Sequence, residues 1–110
     1  MSAARLDRTL AALAVPCRRR IVDLLRERPY RAGELAGATR TSFPVTSRHL
    51  RALRESGLVE EQRDAFDSRA RVYSLRAQPM AELKAWLERT DEMWARQLHA
   101  FKAHVGKTRR

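Results

Sequence analysis

The sequence predicts a mainly α-helical fold with one small β-hairpin, and three observations carry that reading. Apolar residues recur at spacings of three and four over most of the chain. A polar turn joins two short helical segments inside Gly33–Leu58. Alternation of apolar and polar residues appears only between Leu58 and Leu75. At 110 residues the whole chain, 1–110, is expected to form a single domain with a modest core.

The elements follow in order. Leu6, Leu10 and Leu13, with Ala3, Ala14 and Val15, define a first helix that ends before Pro16. Pro16 opens a second helix, PCRRRIVDLLRER, with Ile21, Leu24 and Leu25 facing inward and Pro29 ending it. A short third helix from about Ala32 to Ala38 meets a polar turn of three or four residues. The fourth helix runs from Ser42 to Ser56. Ser42 is a good N-cap, Pro44 sits in the first turn where its missing N–H leaves no bond unmade, and Gly57 stops the helix. LVEEQRD and RVYSLRA then read as two strands, with Leu58, Val59, Val72, Tyr73 and Leu75 at strand-like positions. The connection AFDSRA between them is a polar tip flanked by Arg63, Arg69 and Arg71.

From Pro79 to about Val105 the period is again that of a helix, through Met80, Leu83, Leu87, Thr90, Trp94, Leu98, Phe101 and Val105, with Trp86 and Met93 widening the stripe. A domain this small cannot bury such a helix. The favoured reading is dimerisation of the last helix with its copy and with the first helix, through Leu6, Leu10, Leu83, Trp86, Leu87, Trp94, Leu98 and Phe101. The alternative is that one face merely closes the monomer core. The last residues, Gly106–Arg110, form a basic tail.

The net charge of +10 and the pI near 11.3 imply a polyanionic partner, although Arg abundance also follows from a GC-rich genome. Lysine occurs only at Lys84, Lys102 and Lys107; arginine, the dominant cation, suits planar recognition of phosphate and guanine. The basic residues are not confined to one amphipathic helix, which disfavours a membrane surface. One cysteine, Cys17, excludes an intrachain disulfide and a Cys-based zinc site. With neither a secretory leader nor an apolar span in view, a soluble cytoplasmic protein is expected. No nucleophile elbow, P-loop, dinucleotide fingerprint or metal-hydrolase motif occurs, so an enzyme is not expected.

The fourth helix has two unlike faces. Thr46, Leu50 and Leu53 fall on one side; Phe43, Ser47, Arg48, Arg51 and Arg54 populate the other. Such a helix, behind a short helix and a tight turn, is suited to a DNA major groove. Arg48 is the best candidate for reading a base, with a phosphate contact as its alternative. Ser47 is short enough for close approach. Arg51 and Arg54 lie where phosphates would pass, though Arg54 can instead pair with nearby acids. Arg63, Arg69 and Arg71 fit a wing on the backbone or minor groove. Glu60, Glu61, Asp64 and Asp67 interleave with them, so pairing within the wing is an alternative. Arg18 and Arg19, at a helix N-terminus, can also meet a phosphate.

The order of elements is that of a winged helix-turn-helix domain. LAALAVPCRRRIVDLL (Leu10 to Leu25), GELA (Gly33 to Ala36), SFPVTSRHLRALRESGLV (Ser42 to Val59) and RVYSL (Arg71 to Leu75) resemble the ArsR/SmtB-type transcriptional regulators. The ending PMAELKAWLERTDEMWARQLHAFKAHV resembles a metal-free branch of that family. The resemblance implies a homodimeric repressor that binds double-stranded DNA at an imperfect palindrome and often controls its own operon. Ser42, Phe43, Pro44, Ser47 and Arg48 then lie at or beside the positions that face DNA, with Phe43 where Gln is usual. Phe43 either meets a thymine methyl or packs on the core. Thr41 and Thr46 replace aliphatic residues, and Arg40 replaces a turn Gly, where a positive φ costs roughly 1 kcal/mol or more.

The resemblance also raises metal sensing. The family's thiolate pair would fall at Arg31 and Gly33, so that site is absent. On the last helix Asp91, His99 and His104 are the candidates, but the two histidines lie about 140° apart on an ideal helix. No metal and no cofactor is expected. His49 is read as a scaffold or phosphate contact. Cys17, in a helix first turn before Arg18, Arg19 and Arg20, has the surroundings that lower a thiol pKa, which would suit redox sensing. Relatives usually carry a hydroxyl residue there, which favours a small packing group instead. Two other functions stay open: a winged-helix module that binds a protein partner, and sequence-neutral nucleic-acid binding driven by charge. No effector is indicated.

Overall fold

Periodicity places the helices, and packing decides where they stop. The computed structural model describes residues 3–108. Its elements are α1 (Ala3–Leu13), α2 (Pro16–Leu25), β1 (Tyr30–Arg31), α3 (Ala32–Thr39), α4 (Phe43–Glu55), β2 (Val59–Arg63), β3 (Arg71–Leu75) and α5 (Ala77–Thr108). The core gathers Ile21, Val22 and Leu25 of α2, Leu35 of α3, Leu50 and Leu53 of α4, and Leu58 and Val59 at the start of the wing.

Helices α3 and α4 end in the same way. Thr41 N–H reaches the Ala36 carbonyl and Arg40 N–H that of Gly37; Leu58 N–H reaches Leu53 and Gly57 N–H reaches Arg54. This closure needs one left-handed residue each time. Gly57 supplies it at φ 84°, and Arg40 accepts it at φ 53° and ψ 44°. Arg40 therefore adopts the strained conformation that its place in the turn demands. Between the two helices Ser42 caps α4 by accepting the Val45 N–H at 3.4 Å, which aims the helix outward from the turn.

The second helix is shorter than its periodicity suggests: α2 stops at Leu25, not at Arg28. Arg26 N–H bonds the Val22 carbonyl and Glu27 N–H that of Leu24, tightening the end ahead of Pro29. Beyond the turn and Pro29, Tyr30 and Arg31 form a third strand, β1. The sheet is antiparallel in the order β1-β3-β2, with Tyr30 opposite Tyr73 and Arg31 opposite Val72. The hairpin pairs Val59 with Leu75 through to Arg63 with Arg71. Two residues show no alternation to read; what holds β1 is burial of Tyr30, with the Arg28 guanidinium 3.7 Å from its ring centroid.

The last helix begins at Ala77 and runs to Thr108, past both expected ends. Pro79 fits its first turn because no helical N–H is needed there. Of the expected basic tail, Arg109 and Arg110 lie outside the described residues, and the helix absorbs the backbone before them. At 32 residues α5 is about 48 Å long, and the chain measures 73 × 28 × 23 Å. Its first turns pack on α1, where Arg5 pairs with Glu82.

One core position is out of character. Thr46, fully buried on the inner face of α4, has a hydroxyl with no hydrogen-bond partner among the described residues. An unmet buried polar group costs about 1–3 kcal/mol. Thr46→Val keeps the shape and removes the hydroxyl, so we expect a gain of about 1 kcal/mol. Urea unfolding should show it as a higher midpoint with an unchanged slope.

Candidate nucleic-acid interface

Helix α4 is held by one face and offers the other. Thr46, Leu50 and Leu53 are buried, whereas Ser42, Phe43, Pro44, Arg48, Arg51 and Arg54 are exposed and Ser47 is half-buried. Phe43 is 57% exposed, so it does not pack on the helix-turn-helix core. Its ring belongs to the outer surface, at the first residue of α4. Among the described residues Arg48 and Arg51 form no ion pair, and their charges face solvent.

The helix is also tied from behind. Arg18 Nε donates to His49 Nδ1 at 3.3 Å, joining α2 to α4. Desolvation, then the charges of Arg18 and Arg48, hold the His49 pKa below its ordinary value. A neutral imidazole can accept the Arg18 bond, so His49 serves as scaffold. Arg19 is exposed near the start of α2 and also engages the end of α1. Its Nη1 donates to the Leu13 carbonyl at 2.7 Å and caps the end of α1. Residue spacing carries no sign of such a contact to a helix-end carbonyl.

The wing shows which cations are engaged. Glu61 accepts Arg54 Nη1 at 2.7 Å on one oxygen and Arg71 Nε at 3.0 Å on the other. Tyr73 Oη donates to the same carboxylate at 3.4 Å, and burial first, then Glu61, raises the Tyr73 pKa. Arg54 and Arg71 thus meet on Glu61, which ties the wing to α4 and realises the pairing with acids that the sequence offers as their alternative. Arg63 and Arg69 are exposed on the wing, with no ion pair among the described residues. Where β2 enters the wing tip, Arg31 donates to Asp64 Oδ2 from Nε at 2.9 Å and Nη2 at 2.7 Å. The Phe66 N–H, then Arg31, hold the Asp64 carboxyl below the usual carboxylate range.

Cys17 is half-buried against the core, with Sγ 3.7 Å from Thr41 Oγ1 beneath the turn, the setting of a small packing group. Asp91, His99 and His104 are all exposed along α5. Among the described residues, no three His, Cys, Asp or Glu side chains of one chain come together as a metal would require. Of the residues expected to pair two chains, Leu10 is 39% exposed, Leu87 52%, Trp94 64%, Leu98 42% and Phe101 64%, so the apolar stripe is uncovered. Leu6 and Trp86 are half-buried. Leu83 departs from the expectation, since it is already buried within the single chain.

A three-helix core, a capped helix presenting Ser and Arg, and a hairpin locked beside it define a winged helix-turn-helix DNA-binding protein. Residues 16–61 match the bacterial regulatory proteins of the arsR family. The HTH-type transcriptional regulator Rv2034 of Mycobacterium tuberculosis is 37% identical over 95 residues, covering 86% of this chain and 83% of that protein. An ArsR-like transcriptional regulator from Rhodococcus sp. RHA1 superposes with a TM-score of 0.75 at 30% identity, over 90% of this chain and 91% of the other. The homodimeric winged helix-turn-helix domain of Mb0332 from Mycobacterium bovis gives 0.65 at 26% identity, over 86% and 84%. The chain belongs to the ArsR family of bacterial transcriptional regulators, a family of regulators and not of enzymes. No helix among the described residues is long and apolar enough to cross a membrane.

Proposed function

We propose that this regulator is a cytoplasmic homodimeric repressor that binds an imperfect palindrome in double-stranded DNA overlapping a promoter, its own among them. The observation that carries the reading is the outer face of α4, where Arg48 and Arg51 stand exposed and unpaired among the described residues. Arg48 reads a guanine edge, Ser47 approaches the adjacent base or phosphate, and Phe43 offers an apolar surface to a thymine methyl. Arg51 and Arg63 neutralise backbone phosphates, with Arg18 at the N-terminal turn of α2 as a further contact. Two copies joined along α1 and α5 set the spacing of their recognition helices at about one or two turns of DNA. A bound dimer occludes polymerase.

Fluorescence anisotropy on the protein's own upstream DNA tests this against a scrambled duplex at about 150 mM salt. The expected preference is roughly a thousandfold or more. Equal binding to both duplexes would replace the proposal with charge-driven, sequence-neutral binding. Absence of binding to either would leave the wing and α5 as surfaces for a protein partner.

A further inference from the structure

The wing tip carries an aromatic ring in open solvent. Phe66 is 98% exposed, between Ala65 and Asp67. The loop that carries it is firmly built. Asp64 Oδ1 accepts the Phe66 N–H at 2.8 Å, and Asp67 Oδ1 accepts the Arg69 N–H at 3.0 Å. Backbone bonds from Asp64 N–H to Ala70 and from Ala70 N–H to Asp67, both 3.0 Å, close the turn. Arg31 grips the other oxygen of Asp64, and Glu61 clamps Arg54 of α4 to Arg71 of β3. The backbone that carries the ring is therefore fixed, and Glu61 ties the hairpin to the recognition helix.

Charge at the tip suits a polyanion. Asp64 is paired with Arg31, Asp67 keeps its charge while accepting the Arg69 amide, and Arg63 and Arg69 add two exposed cations on the chain to either side of Phe66. We infer that Phe66 is a wedge that enters the DNA minor groove beside the half-site read by α4 and opens a base step there. Apolar side chains driven between base pairs unstack them and bend the duplex, and a rigid mount with flanking cations is what such insertion needs. Flexible pyrimidine–purine steps yield most readily, so the wedge adds sequence preference at positions α4 does not touch. The inference rests on the DNA-binding reading above.

The test uses the full chain and its upstream duplex, with 2-aminopurine placed in turn at each step beside the half-sites. The wild-type protein should brighten the probe at one step in each half-site and shorten the end-to-end distance of a doubly labelled duplex. Phe66→Ala should bind roughly tenfold more weakly, leave the probe dark and leave the duplex straighter. Phe66→Leu should restore part of both signals. Because the ring touches solvent alone, thermal unfolding of Phe66→Ala should match wild type. Unchanged affinity, probe signal and bend in Phe66→Ala would overturn the wedge while leaving the repressor reading intact. Failure of the wild-type chain to bind the duplex at all would overturn both.

Discussion

Arg48→Glu should reduce operator affinity by at least about a hundredfold while leaving fold and oligomeric state unchanged. The expectation combines two losses. A bidentate contact to guanine contributes roughly 1–3 kcal/mol, and a carboxylate in its place faces the phosphate backbone with the wrong sign. Arg48 is exposed and makes no ion pair among the described residues, so its removal strands no buried partner. Arg48→Lys separates the two roles. It keeps the charge but not the planar fork, so it should retain most non-specific affinity and lose preference for the operator. Arg51→Ala should instead weaken all duplexes alike and flatten the salt dependence by about one phosphate's worth. Anisotropy titrations over a range of salt measure all three. If Arg48→Glu bound the operator as wild type does, α4 would not be the reading element.

The sequence displayed this face well because it is a one-dimensional property. Ser42, Pro44 and Gly57 mark the ends of α4, and the spacing of Thr46, Leu50 and Leu53 assigns its inner side. The family resemblance then supplied what periodicity does not, namely which outward residues approach DNA. Neither route revealed contacts that join three elements. Glu61 read as one acid among several in the wing, yet it couples β2 to α4 and β3, and it converts Arg54 and Arg71 from free cations into a clamp. Arg19 likewise has a charge that suggests phosphate and a geometry that caps α1. Strand β1 is too short to carry a pattern, and its place follows from the packing of Tyr30. Phe66 was hidden for another reason: inside AFDSRA a single aromatic has no period, and its exposure appears only once the turn is built.

In the proposed homodimer, replacing Trp94 and Phe101 together by Glu should leave monomers at micromolar concentrations. Both rings are 64% exposed on the single chain, on the part of α5 that projects beyond the core, and Leu98 lies between them at 42%. Exposed apolar surface of this kind, two aromatic residues at helical spacing along one stripe, marks an interface. Because these residues carry no intrachain packing of consequence, the substitutions should leave unfolding of the core unchanged, unlike any change at Leu83. The DNA consequence is larger than the loss of contacts suggests. A linked pair of recognition helices gains an effective local concentration for the second half-site, and losing it costs about 10²–10⁴ in apparent affinity. Light scattering should report one chain's mass, and anisotropy should show weak, half-site-like binding. A variant that stayed dimeric would move the interface to α1 and the first turns of α5. A monomer that kept full operator affinity would mean that each copy reads its site alone, and that α5 serves some purpose other than setting the spacing.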